Sequence, residues 1–132
     1  MAPEAAVEKT PYELLGGDAG VRQLVSDFYQ LMDTLPEAAP IRAMHEGDLA
    51  EMVDKLGTFL IGWMGGPQRY QERFGRVIIP LAHRRFPIGA AERDQWLVCM
   101  RGALDKTKLE PSMKARLMDS FGRMAEMCRT QE

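Results

Sequence analysis

Apolar residues in this chain recur at intervals of three and four, and that period dictates helices. Val21, Leu24, Val25, Phe28 and Met32 form one such face, and Leu49, Met52, Val53, Leu56, Phe59 or Leu60, and Trp63 form a second. A third runs through Trp96, Leu97, Met100, Ala103 and Leu104, and a fourth through Met113, Leu117, Phe121, Met124, Ala125 and Cys128. No segment alternates with the period of two that a half-buried strand requires, and no internal repeat is visible. The pattern predicts an all-α fold. By itself it does not separate a bundle from a globin-like crossing of helices.

Boundaries follow from capping and breaking residues. Thr10-Pro11-Tyr12-Glu13 reads as a helix start, with Thr10 as N-cap, Pro11 at the first helical position and Glu13 closing a capping box. Gly16-Gly17 ends that short helix, and Asp18 is the expected cap of the next. Pro36 and Pro40 punctuate short turns between residues 34 and 47, and Asp48 is the expected start of the second long helix. Gly65-Gly66-Pro67 stops it. Residues 68–89 read as an irregular connection with one or two helical turns, because Pro80 interrupts the run Ile78, Ile79 and Leu81. The third long helix is expected over residues 90–107 and the fourth from near Pro111. Residues 1–9 read as a disordered lead and residues 10–132 as one domain.

Several function classes lack their anchors. The net charge of -2, with basic residues scattered among acids, offers no stripe for nucleic-acid phosphates. The apolar run over residues 59–64 is far too short to span a bilayer, and the first residues lack a secretory pattern, so the expected setting is the cytoplasm. Cys99 and Cys128 sit within helical apolar patterns and are expected to be reduced thiols. The two histidines, His45 and His83, make no zinc site with neighbouring ligands, and no serine elbow, phosphate loop or dinucleotide fingerprint occurs. Taken singly, His83 reads as a packed or surface histidine, and Tyr29 and Trp96 read as core aromatics.

Five segments in order change that reading. Tyr12-Glu13-Leu14-Leu15-Gly16-Gly17, Phe28-Tyr29, Phe59-Leu60 with Trp63-Met64-Gly65-Gly66-Pro67, Phe86-Pro87-Ile88-Gly89, and Glu92-Arg93-Asp94-Gln95-Trp96-Leu97-Val98-Cys99-Met100 together resemble the group II truncated haemoglobins. The resemblance extends from Tyr12 to near Cys128. It implies a two-on-two helical sandwich holding b-type haem without covalent attachment, with His83 as the proximal iron ligand. The absence of a Cys-x-x-Cys-His motif agrees with non-covalent haem. An imidazole that binds iron through one nitrogen can fix its ring by donating from the other.

On the distal side the resemblance places Tyr29 and Trp96 as donors to a polarised diatomic ligand, with His45 as a third polar residue at a variable family position. Met52 stands where many globins carry a distal histidine. Phe28, Met52, Leu56, Phe59, Phe86 and Met100 are implied as apolar pocket residues, and Lys55, Tyr70 and Arg84 as partners for the haem propionates. One departure concerns Ala82, which precedes His83 where many relatives carry a basic residue. Arg84 or Arg85 is left to compensate.

The resemblance implies reversible binding of O2, and of CO, NO, cyanide or sulfide as other ligands, in an oxygen-binding or oxygen-transport role. The alternative reading is an enzyme, either nitric oxide dioxygenation giving nitrate or peroxidase-type chemistry. The sequence shows no reductase domain, so turnover would draw on an external reductase. A haem-free helical interaction module is the third class. No nucleic-acid or membrane partner is expected, and the expected assembly is a monomer or weak homodimer.

Overall fold

The chain enters its first helix through the capping box that the sequence predicts. In a computed structural model, which describes residues 9–43, 49–75 and 88–130, helix α1 (Pro11–Leu15) begins at proline. The Thr10 hydroxyl accepts from the Glu13 N–H at 3.2 Å, and the Glu13 carboxylate accepts from the Thr10 N–H at 3.1 Å. Gly16 then takes a left-handed conformation, φ 102°, which suits a residue without a Cβ and lets α2 (Gly17–Thr34) start at once. The expected capping role of Asp18 is therefore not observed. With Gly16 at the cap, Asp18 already lies inside the first turn, and its carboxylate accepts instead from the Tyr12 hydroxyl at 2.7 Å and the Arg69 guanidinium at 2.8 Å.

Beyond α2 come a 3₁₀ turn (Pro36–Ala38) and the short helix α3 (Ala39–Ala43), which fill the region read as turns. Helix α4 (Leu49–Trp63) follows, and the short α5 (Tyr70–Phe74) supplies a helical turn in the irregular connection. Helix α6 (Ala90–Asp105) ends two residues before the expected limit, and α7 (Pro111–Met127) starts at the expected proline. The expected start at Asp48, the interruption at Pro80 and the disordered lead over residues 1–8 lie outside the described residues. Every regular element among the described residues is a helix, and none is long and apolar enough to cross a membrane.

Helix α2 packs against α4 and against α6, and α6 packs against α7. The pairs α2/α4 and α6/α7 make a two-on-two sandwich. The predicted apolar faces meet in one core, where Val21, Leu24, Phe28 and Met32 of α2 join Leu60 and Ile61 of α4, Met100 and Leu104 of α6, and Phe121 of α7. Complete burial of a large apolar side chain contributes about 1.5–3 kcal/mol, so this shared interior, more than helix propensity, fixes the crossing of the helices.

The Gly-Gly-Pro stop has a second role beyond ending α4. A Cβ on Gly66 would lie 2.7 Å from Tyr12 Cδ1 and 2.8 Å from the Ile61 carbonyl oxygen. Tyr12 also donates its N–H to the Met64 carbonyl at 3.1 Å, satisfying one of the carbonyls left over at the helix end. The opening segment and the Gly-Gly-Pro segment are thus two sides of one contact.

Candidate functional site

Helix α2 delivers Phe28 and Tyr29 to the interior on adjacent positions, and α6 brings Trp96 to meet them. The Phe28 ring is fully buried and stands edge-on to both neighbours: its centroid is 5.0 Å from that of Tyr29 at 69° and 5.0 Å from that of Trp96 at 60°. Two of the predicted distal residues are thereby brought against a third pocket residue. Tyr29 is buried, and burial pushes its hydroxyl up to about 12. The phenol keeps its proton throughout the neutral range, which is the state that donates.

Trp96 differs. Its side chain is only partly buried, and its indole N–H makes no hydrogen bond to any described residue. Buried tryptophans usually find an acceptor for that group, so ring packing alone sets its orientation here. Phe121 of α7 also packs on the indole, centroid to centroid 5.7 Å at 55°. Phe121 is in turn backed by Trp63 of α4 at 4.7 Å and 36°.

Along α4, Met52, Leu56, Phe59 and Trp63 recur at four, three and four residues and so share one face. Each packs on the core yet remains partly open, whereas Met100 of α6 is completely buried. A continuous, half-open apolar stripe beside a neutral phenol and an uncommitted indole N–H suits a flat apolar group with a polar ligand at its centre. These residues therefore fit a haem. Two of the propionate candidates converge on Phe74 of α5. The Tyr70 ring stands edge-on to Phe59 at 5.6 Å and 82° and tilts against Phe74 at 4.9 Å, while Lys55 Nζ lies 5.6 Å from the centroid of the same Phe74 ring.

His45, His83, Arg84 and Phe86 lie outside the described residues, as do Ala82 and Arg85. The chain on either side of residues 76–87 is firmly tied. Before it, the Arg73 guanidinium on α5 donates to both oxygens of Asp54 on α4, at 3.2 and 2.7 Å, and to the Thr58 hydroxyl at 3.1 Å. Arg22 of α2 reaches the same carboxylate at 3.3 Å. Arg73, more than Arg22, holds the Asp54 carboxyl below its usual range. After it, Ile88 and Thr130 are joined twice: Thr130 N–H donates to the Ile88 carbonyl, and Ile88 N–H to the Thr130 hydroxyl, both at 2.8 Å. Glu92 caps α6 by accepting from the Gly89 N–H at 2.7 Å.

Phe74, Arg73, Asp54 and Phe121 were not among the residues singled out from the sequence for the site. Phe74 was legible as the residue four after Tyr70 on a short helix, and Phe121 stood in the fourth apolar face without a distinguishing mark. The Asp54–Arg73 pair left no local signal, because its partners are nineteen residues apart. Both thiols are free; Cys99 is fully buried and Cys128 half-buried, and burial pushes Cys128 up to about 11.

Two packed helical pairs, with a tyrosine and a tryptophan from neighbouring helices packed against one buried phenylalanine, are the arrangement of a two-on-two globin. The bacterial-like globin family matches the chain over residues 10–130. A group 2 truncated hemoglobin of Bacillus subtilis is 36% identical over 114 residues, covering 86% of this chain and 81% of that protein. The solved structure of a group II 2-on-2 hemoglobin from Agrobacterium tumefaciens is 42% identical and superposes with a TM-score of 0.90, over 97% of this chain and 99% of that one. A truncated oxygen-avid haemoglobin from Bacillus subtilis gives a TM-score of 0.80 at 32% identity, over 92% and 99% of the two chains. The chain belongs to the bacterial-like globins and, among them, to the group II truncated haemoglobins. Haem binding, and reversible binding of O2 and related diatomic ligands, go with that membership.

Proposed function

We propose that this globin holds b-type haem non-covalently in the cytoplasm, with His83 as the proximal ligand, and retains O2 through hydrogen bonds from Tyr29 and Trp96. The haem supplies the iron at which a diatomic ligand binds reversibly. The observation that carries the reading is the Trp96 indole N–H, which has no acceptor among the described residues while its ring is held beside the buried phenol of Tyr29 through Phe28. An indole N–H that no protein group engages is available to donate to a ligand. The Tyr29 O–H is kept protonated by burial, so both groups meet a polarised ligand as donors.

Lys55 and Tyr70, gathered around Phe74, are the proposed partners of one propionate, with Arg84 for the other, and His45 joins the distal donors. Met52, Leu56, Phe59 and Met100 form the apolar walls with Phe86. The oxygen-avid relative supports tight O2 retention as the function served by this arrangement.

Stopped-flow release of O2 and CO from the wild type, Tyr29→Phe and Trp96→Phe tests the reading, with His83→Gly examined for haem retention alongside. A hydrogen bond to a partly charged ligand is worth about 1.5–3 kcal/mol, so either distal substitution should speed O2 release by roughly 10- to 150-fold. CO release should change much less, because CO is less polarised. Equal acceleration of both ligands would make the two residues steric gates, and no acceleration would remove them from the site. His83→Gly should lose haem or depend on added imidazole; an unchanged ferrous spectrum would refute the proximal assignment.

A further inference from the structure

Trp63 is the last residue of α4 and of its half-open apolar stripe, and the glycines that follow it serve the contact with Thr10 and Tyr12. Its ring contact leads elsewhere. The indole of Trp63 lies against Phe121, and Phe121 lies against the face of the site formed by Trp96. Phe121 has no solvent exposure, whereas Trp63 and Trp96 are each partly buried. We infer that Phe121, backed by Trp63, is a positioning residue for Trp96: it holds the indole in the orientation from which its N–H reaches the ligand.

A tryptophan side chain turns about two torsions, and a hydrogen bond from its N–H commonly fixes them. Here no described residue accepts from the Trp96 N–H, so the protein itself supplies only walls. Phe28 packs on the indole at 5.0 Å and Phe121 at 5.7 Å. Phe28 is fixed by full burial within α2 and its neighbours. Phe121 comes from α7, which packs on α6, and Trp63 of α4 packs on the Phe121 ring at 4.7 Å. Three helices thus set the angle of one donor. Replacing a packed ring by a smaller side chain leaves space that the surroundings only partly recover, so the indole would sample additional orientations.

This inference depends on Trp96 being a ligand donor, and the experiment separates the two. O2 and CO release are measured for the haem-bound full chain as wild type, Trp96→Phe, Phe121→Leu, Trp63→Leu and Trp63→Phe. Coupling through packed side chains that do not touch a ligand commonly changes its binding by roughly 2- to 30-fold, so Phe121→Leu should speed O2 release within that range and CO release much less. Trp63→Leu should act in the same direction but more weakly, and Trp63→Phe, which restores a ring behind Phe121, should return release towards the wild-type rate. If Phe121→Leu does not fold with haem, Trp63→Leu carries the test.

A second readout is independent of ligand release. The chain has only two tryptophans, so a ¹⁵N-labelled sample gives two indole N–H signals, and Trp63→Phe assigns them. Adding Phe121→Leu should shift or broaden the Trp96 signal. Faster O2 release in Trp96→Phe but not in Phe121→Leu, with an unmoved indole signal, would overturn this inference and leave the donor role intact. Equal acceleration of O2 and CO in Phe121→Leu would also overturn it. An unchanged O2 rate in Trp96→Phe would defeat the donor reading, and the indole signal would still decide whether Phe121 orients the ring.

Discussion

The aromatic cluster around Phe28 and the ion-paired anchors around Asp18 and Asp54 both draw on α2 and α4, yet they hold their residues by different physics. In the cluster, Tyr29, Phe28, Trp96, Phe121 and Trp63 meet ring to ring at 4.7–5.7 Å, with Phe28 and Phe121 wholly out of water. Each such pair adds about 0.5–1.5 kcal/mol beyond the area it buries. Around Asp54, charged groups 40–47% exposed hold α2, α4 and α5 together. Water competes for those contacts, and salt screens them. The difference assigns two tasks: dry packing holds the proposed ligand donors, and solvated pairs fix where the chain leaves the helices before residues 76–87.

The largest expected effect comes from breaking the cluster at its centre. Phe28→Ala should lower stability by about 3–5 kcal/mol, the usual loss for a buried ring, as measured by denaturant unfolding. Because Phe28 touches both donors, the same variant should release O2 faster than either Phe121→Leu or Trp63→Leu. A loss below that range would mean that the cluster collapses onto the space and that Phe28 is not its keystone.

A smaller loss is expected where backbone meets ring at the far end of α4. Gly66→Ala would put a methyl 2.7 Å from Tyr12 Cδ1 and 2.8 Å from the Ile61 carbonyl. The ring can move but the carbonyl belongs to the helix, so the overpacking should cost about 1–3 kcal/mol and displace Tyr12 from Asp18. Unfolding midpoints for Gly66→Ala, alone and with Tyr12→Ala, measure the clash. Relief of most of the loss in the double variant identifies Tyr12 as the obstacle; no relief places it on the Ile61 carbonyl.

The two regions also differ in how much of them the sequence disclosed. Residues of the aromatic cluster carry the period of three and four that buries a helix face, so Phe28, Trp63 and Phe121 were legible as core, and the four long helices followed with them. Their pairwise meeting was not legible, because crossing angles depend on how four faces interlock at once. The Thr10 capping box was visible because both halves lie within four residues. Asp18 was misread for the complementary reason: its sequence position favours a cap, and only the fold shows that Gly16 already occupies that place while Tyr12 and Arg69 claim the carboxylate. The Asp54–Arg73 pair follows the same logic, since charges on an exposed face have no periodic mark. The site itself was legible chiefly through the family resemblance, which tied Tyr29 to Trp96 across the chain.

The smallest expected effect belongs to the solvated anchors, and pH isolates it. The Tyr12 hydroxyl, followed by Arg69, lowers the Asp18 carboxyl, and Arg73 does the same for Asp54. Both carboxylates therefore sit below their ordinary value of 3.8 in the folded chain. A carboxylate depressed by folding binds fewer protons in the native state, so its stabilising contribution is complete above the ordinary value and is lost as pH falls through the lower, native one. The Phe28 cluster contains no carboxylate and should not share that dependence. Thermal midpoints of the wild type and Asp54→Asn should differ by a small amount at pH 7, converge as the medium is acidified below the ordinary carboxylate range, and approach each other at pH 7 when salt is raised. Phe28→Ala should keep its deficit at both salt concentrations. A gap between wild type and Asp54→Asn that survives acid would show that Asp54 acts through the shape of its side chain rather than its charge, and the contrast between dry and solvated anchoring would then fail at that position.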